Sequence, residues 1–151
     1  MTKWLFQKKH NARLALVQCL YAHYFSSITN VQEPQNEVIA VNKLIYSDQT
    51  FEIESELLTK LLQNIIKEQD YLDKIIEKYL AANWSFNRLN IVTLSILRAA
   101  IGEMLYYPET LGKVIIKEYI SIADEFIEEK EVKFINAVLD KVGDDKNNSF
   151  S

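Results

Sequence analysis

The chain has 151 residues, of which 48% are hydrophobic, with only three glycines and two prolines. This composition favours long helices with short connections and argues against a strand-rich fold. A net charge of −4 excludes a polycation, so any nucleic-acid site must be a local basic patch. The single cysteine, Cys19, excludes an internal disulfide, and no signal-peptide core follows the N-terminus, so we expect a cytoplasmic protein.

Helical patterns follow one another along the chain after a short N-terminal arm, Met1–Gln7. Ser26–Pro34 is expected to be a polar connection. The predicted helices are Lys8–Phe25, Glu37–Tyr46, Glu52–Lys67, a helix capped by Asp70, the segment Trp84–Leu105, Lys113–Phe126 and Val132–Val142. Gly143 is expected to end the last helix, so we predict one helical domain over residues 1–143 and a disordered polar tail over residues 144–151.

The segment Trp84–Leu105 is apolar around most of a helical circumference, which is typical of a helix buried among other helices. Ser85 is a plausible N-cap. Arg98 and Glu103 interrupt the apolar run and are five residues apart, so they do not face each other on the helix. Each therefore needs a partner elsewhere. Either both residues clamp neighbouring helices, or one of them reaches a ligand.

Residues suited to catalysis are sparse. The two histidines have no other metal-type residue near them in sequence, and no glycine-rich phosphate loop is present. We therefore expect no enzyme activity, no cofactor and no bound metal.

A basic cluster lies at the predicted start of the first helix and consists of Lys8, Lys9, His10 and Arg13. Helix stability does not explain its position. Cations near the positive pole of the helix dipole each cost a few tenths to ~1 kcal/mol, whereas a bound anion would gain there. Lys9 and Arg13 are i and i+4, so we expect them to share an open face, with Leu16, Leu20 and Tyr24 facing the core. Tyr21, with Trp4 and Phe6, would then stack on bases of single-stranded RNA. The alternative is a solvated basic turn.

Three segments resemble the NusB family of transcription antitermination factors. They are ARLALVQCLY at Ala12–Tyr21, NWSFNRLNIVTLSILRAAIGEM at Asn83–Met104, and Lys113–Lys141 with its KVIIKEYISIADEF and KFINAVLDK motifs. The resemblance implies an all-α fold of about seven helices in two packed sub-bundles. It also implies binding of boxA-type nascent RNA together with the ribosomal protein NusE, in RNA polymerase antitermination complexes that support ribosomal RNA transcription.

Carried onto this sequence, the resemblance places RNA over the first helix and the region before the last helix. The residues that match the family's RNA-binding positions are Lys9, His10, Arg13, Gln18, Tyr21, Lys133 and Phe134. Lys8 of the basic cluster is added to them as a further candidate RNA-binding residue.

The chain departs from the family pattern at several positions. Lys9 and His10 stand where the family tends to have arginines, which implies weaker or pH-sensitive phosphate contact. Further departures occur at Thr93, Leu94, Gly102, Lys117 and Ala137.

Two alternatives to an antitermination factor remain open. Similar domains precede RNA cytosine methyltransferase domains, so the chain would then be a stand-alone RNA-binding domain. The other alternative is a helical adaptor that does not bind RNA.

Overall fold

The computed structural model describes residues 3–25, 32–45 and 51–149, and the chain divides into two compact units, residues 1–63 and residues 64–151. In the described part, the α-helices are α1 (Lys3–Phe25), α2 (Gln32–Ile45), α3 (Ser55–Lys67), α4 (Gln69–Tyr79), α5 (Ile91–Tyr106), α6 (Gly112–Phe126) and α7 (Glu129–Ser149). A short 3-10 turn, Phe86–Arg88, precedes α5. All regular elements of these residues are helical, which confirms the predicted all-α class with seven helices.

In the first unit, α1 packs against α2 and is longer than predicted. It begins at Lys3, so most of the expected N-terminal arm is helical. Residues 11–17 are all buried, and seven consecutive buried residues mean that the helix is covered on every side there. Tyr24, which was expected to face the core, is 52% exposed, so this part of the predicted face is wrong.

Helix α2 also begins earlier than predicted, at Gln32 rather than Glu37. Pro34 lies in its first turn, where a missing N–H breaks no helical hydrogen bond. The remainder of the predicted connection, residues 26–31, and the segment 46–50 after α2 lie outside the described residues.

In the second unit, α5 is buried at every position from Thr93 to Met104 and contacts α4, α6 and α7. This confirms the predicted central helix. Its cap is Asn90, whose side chain accepts a hydrogen bond from the Val92 N–H at 2.8 Å. Ser85 instead precedes the 3-10 turn and makes no capping bond, so the predicted cap is wrong. Helix α4 likewise begins after Glu68 rather than at a cap on Asp70.

The two charged residues inside α5 have partners on neighbouring helices. The Arg98 guanidinium donates to both carboxylate oxygens of Asp73 on α4, at 2.8 and 2.9 Å. Glu103 accepts a hydrogen bond from the Tyr119 hydroxyl on α6 at 2.8 Å. The structure therefore confirms that these residues clamp helices together, and loss of one partner would leave a buried charge uncompensated.

Helix α6 differs from the prediction in which side chains are exposed, and α7 differs in where it ends. The apolar spacing of Lys113–Phe126 predicts that Val114 and Phe126 face inward, but both are exposed. Helix α7 does not end at Gly143 but continues to Ser149, where a disordered tail was expected. The Tyr79 hydroxyl of α4 donates to Asp145 at 2.7 Å, so the polar end of α7 is tied to α4.

Candidate nucleic-acid interface

The basic segment Lys8–His10 lies on α1, with all three residues partly exposed. Because α1 begins at Lys3, the segment lies beyond the first helical turn. The dipole effect is confined to the first turn, so the predicted penalty for cations at a helix start does not apply here. The expected open face shared by Lys9 and Arg13 is also wrong, since Arg13 is only 3% exposed.

The chain segment before α3 lies against this part of α1. The Lys8 carbonyl accepts a hydrogen bond from the Glu54 N–H at 3.1 Å, and the Asn11 amide donates to the Glu52 carbonyl at 2.8 Å. The Gln7 amide in turn donates to Asn11 at 3.0 Å. The basic segment is therefore held in place by backbone and amide contacts within the first unit. Asn11 was not singled out from the sequence, since an isolated asparagine in a helix carries no specific signal.

Gln18 fastens α2 to α1. Its side-chain oxygen accepts a hydrogen bond from the Asn42 amide at 2.7 Å, and the same amide donates to the Val38 carbonyl at 2.9 Å. Asn42 is 2% exposed, so these bonds satisfy a buried polar group. The structure thus gives Gln18, a candidate RNA contact, a partner within the protein.

Three aromatic rings lie exposed at the C-terminal end of α1. Tyr21, the candidate stacking residue, is 42% exposed. The ring centroids of Tyr21 and Phe25 are 5.0 Å apart, and those of Tyr24 and Phe25 are 5.3 Å apart, both in edge-to-face packing. The rings therefore form one cluster, of which sequence reasoning identified only Tyr21 as a binding residue. The side chain of Trp4 lies outside the described part, and Phe6 is exposed.

The second group of candidates lies in the second unit, near the start of α7 rather than before it. Lys133 is exposed and its ammonium lies 3.4 Å from the Glu129 carboxylate, a surface pair that contributes little to stability. The ring of Phe134 packs on Trp84, with centroids 4.1 Å apart and planes 30° apart. Trp84 was predicted to belong to the central helix, but it lies in the loop after α4. From this loop its ring packs against Phe134.

A hollow of about 410 Å³ opens beside Trp84, lined by Leu80, Ala82, Phe86 and Asn87 among others. The lining also includes Glu77 and Ser85, so the hollow is largely polar.

The single cysteine of the chain, Cys19, is a free thiol buried in α1. Burial raises the pKa of the Cys19 thiol to about 12, so its reactive thiolate form is suppressed. Across the described ranges, no three His, Cys, Asp or Glu residues are grouped to hold a metal ion. No described helix is both long enough and apolar enough to span a membrane.

Comparison with known proteins gives a consistent assignment. The sequence profile of the NusB family matches residues 10–144. The transcription antitermination protein NusB of Bartonella tribocorum is 32% identical over 136 residues, which cover 89% of this chain and 87% of the relative. That of Elusimicrobium minutum is 34% identical over 139 residues, covering 91% of this chain and 96% of the relative.

Solved structures show the same fold. The structure of T. maritima NusB has a TM-score of 0.74 and 26% identity, with 89% of each chain covered. A chain in a crystal structure of antitermination factors NusB and NusE in complex with double-stranded RNA has a TM-score of 0.74 and 23% identity, covering 89% of this chain and 95% of that one. With a family profile matched over most of its length, this chain belongs to the NusB family.

Proposed function

We propose that this protein is a cytoplasmic transcription antitermination factor that binds boxA-type single-stranded RNA together with NusE. It would act in RNA polymerase complexes that support ribosomal RNA transcription. The names of the curated relatives support antitermination, and the solved complex of NusB, NusE and RNA supports both partners. These relatives are named as antitermination proteins and are covered over 87–96% of their own length, which favours this function over the stand-alone RNA-binding domain.

One observation carries the RNA-binding part of the proposal, and it is the distribution of charge. All 21 acidic residues follow position 32, whereas Lys3, Lys8, Lys9 and Arg13 precede it. Helix α1 therefore contains no carboxylate at all in a protein whose net charge is −4. A helix with only basic charges on an acidic protein attracts a polyanion locally, because the helix carries no repelling carboxylate of its own. The nearest acidic residues that the structure places against it are Glu52 and Glu54 in the segment before α3.

The proposed contacts divide into three kinds. Lys8, Lys9 and His10 contact phosphates, because they are partly exposed. Tyr21 and Phe134 stack on bases, and Lys133 contributes a further phosphate contact. Gln18 acts indirectly by holding α2 on α1, and Arg13, which is buried, adds to the positive potential of the helix without direct contact.

In this proposal, NusE contributes RNA contacts that this acidic chain does not provide by itself. An acidic protein with one small basic region binds RNA only modestly by itself, because its net charge opposes approach. A partner that shares the RNA adds contacts to the same strand. We therefore expect the affinity for boxA RNA to rise when NusE is added, and equal affinity with and without NusE would contradict the proposal.

The direct test is the double variant Lys8→Gln with Lys9→Gln. Each phosphate contact that is lost should reduce the log–log salt slope of boxA RNA binding by about 0.7, and affinity should fall while the helical circular dichroism is unchanged. Lys74→Gln, at an exposed position of α4, removes a charge outside α1 and is the control. A folded double variant with undiminished affinity and slope would refute the assignment of this surface.

A further inference from the structure

The aromatic cluster at the C-terminal end of α1 contains Tyr21, Tyr24 and Phe25. Only Tyr21 is a proposed RNA contact, so the exposure of the other two rings is unexplained. Tyr24 is 52% exposed and Phe25 is 64% exposed. Single exposed apolar residues are common, but three packed rings at i, i+3 and i+4 form a contiguous surface, which is typical of a binding site.

This cluster lies on the same face of α1 as part of the basic segment. From His10 to Tyr21 is 11 residues, close to three helical turns, and from His10 to Tyr24 is 14 residues, close to four. The distance along the helix from His10 to Tyr24 is about 21 Å at 1.5 Å per residue. Leu14 and Val17, between them, are buried, so the face offers two separate contact points.

The chemistry of this end of α1 points to nucleic acid. A helix that exposes aromatic faces, carries cations elsewhere along its length and has no carboxylate offers the features with which proteins hold unpaired bases and their phosphates. His23, a partly exposed residue of the last turn, adds an imidazole ring with hydrogen-bonding nitrogens.

We propose that Tyr24 and Phe25, together with Tyr21, form a base-stacking platform for single-stranded RNA at the C-terminal end of α1. The RNA contacts α1 at two separate points, with phosphates at Lys9 and His10 and at least one unstacked base on the platform. This inference rests on the proposed RNA-binding function and extends it to two residues that the family resemblance did not supply.

The first experiment uses a double alanine variant that combines Tyr24→Ala and Phe25→Ala. Its binding to a labelled boxA RNA is compared with that of wild type. Base–aromatic stacking is worth ~1–3 kcal/mol per base, so Kd should rise roughly 5- to 150-fold. The salt slope should not change, because no phosphate contact is lost, in contrast to the lysine variants. Phe25→Leu keeps apolar bulk but removes the ring, and it should also weaken binding. Tyr24→Phe should not.

Matched controls come from exposed aromatic residues of the second unit. Tyr71 is 44% exposed and Phe126 is 47% exposed, and alanine at either position should leave Kd unchanged. Circular dichroism should show every variant folded, since the substituted rings lie at the surface.

The second experiment replaces successive nucleotides of the boxA RNA by abasic ribose. At the stacked position, the abasic change should weaken binding to wild type but have no further effect on the double alanine variant. If that variant binds boxA RNA as tightly as wild type while the lysine variants bind weakly, the platform is refuted and the proposed function stands. Reduced binding of NusE with unchanged RNA affinity would also refute it. Wild-type protein that binds no boxA RNA would overturn both proposals.

Discussion

Two glycines in helix interiors provide a matched test of packing against helix propensity. Gly102 lies in α5, and a Cβ atom built on it would be 2.6 Å from Cγ1 and 2.7 Å from Cδ1 of Ile65. Gly143 lies in α7, and its Cβ would be 3.7 Å from Cδ1 of Ile116, an ordinary van der Waals contact. Glycine is thus required by a close approach at Gly102 but not at Gly143.

The magnitudes follow from two opposing terms. Alanine is favoured over glycine in a helix by ~1 kcal/mol, and this gain applies at both positions. Overpacking a core costs typically ~1–3 kcal/mol, and Ile65 is fully buried, so its side chain has little room to move. Gly102→Ala should therefore lower the free energy of unfolding by about 0–2 kcal/mol. Gly143→Ala should raise it by about 1 kcal/mol.

Urea unfolding followed by circular dichroism measures both variants, and the difference between them cancels the propensity term. A third variant, Gly102→Ala with Ile65→Val, removes Cδ1 of Ile65 and so relieves one of the two contacts. Its loss of stability should be smaller than the sum of the two single losses. If both alanine variants were stabilised equally, the close approach of Ile65 to α5 would not constrain this position, and the reasoning would be refuted.

Two further predictions concern the second unit. Leu97 is fully buried in α5, so Leu97→Ala should lower the free energy of unfolding by about 2–5 kcal/mol, and a thermal melt at the wild-type Tm would contradict its central position. The hydrogen bond to Asp145 raises the pKa of Tyr79 to about 12, so the folded state favours the protonated phenol, and the stability that this provides is present below pH 10 and lost as pH rises from 10 to 12. Tyr79→Phe should remove this part of the alkaline loss in pH-dependent urea unfolding, and an identical pH profile in both proteins would show that the contact is unimportant.

The order of the helices and the burial of α5 were predictable because both depend on periodicity. A run that is apolar around its circumference has only one stable location, the interior. The end of α7 was not predictable in this way. Glycine inside a helix costs only ~1 kcal/mol, and tertiary contacts such as that between Tyr79 and Asp145 outweigh it.

The candidate site was less predictable than the fold, and Arg13 shows why. Periodicity locates the apolar side chains of α1, but it does not show that neighbouring segments also cover polar positions of the same helix. Burial of residues 11–17 without interruption is a tertiary property. The prediction for Tyr24 is wrong in the opposite sense. An aromatic residue at core spacing is usually buried, and only the structure shows that Tyr24 is exposed.

The placement of charges and aromatic rings on α1 argues for binding by this helix. In the second unit, Arg98 is paired with Asp73 and Glu103 accepts a bond from Tyr119, as stability requires of buried charges. Stability alone would give α1 carboxylates in its first turn and bury its aromatic rings. Helix α1 instead has no carboxylate and exposes three packed rings at its C-terminal end. A bound strand with negative phosphates and flat bases would complement both features at once, which is why the RNA variants should lose affinity without losing fold.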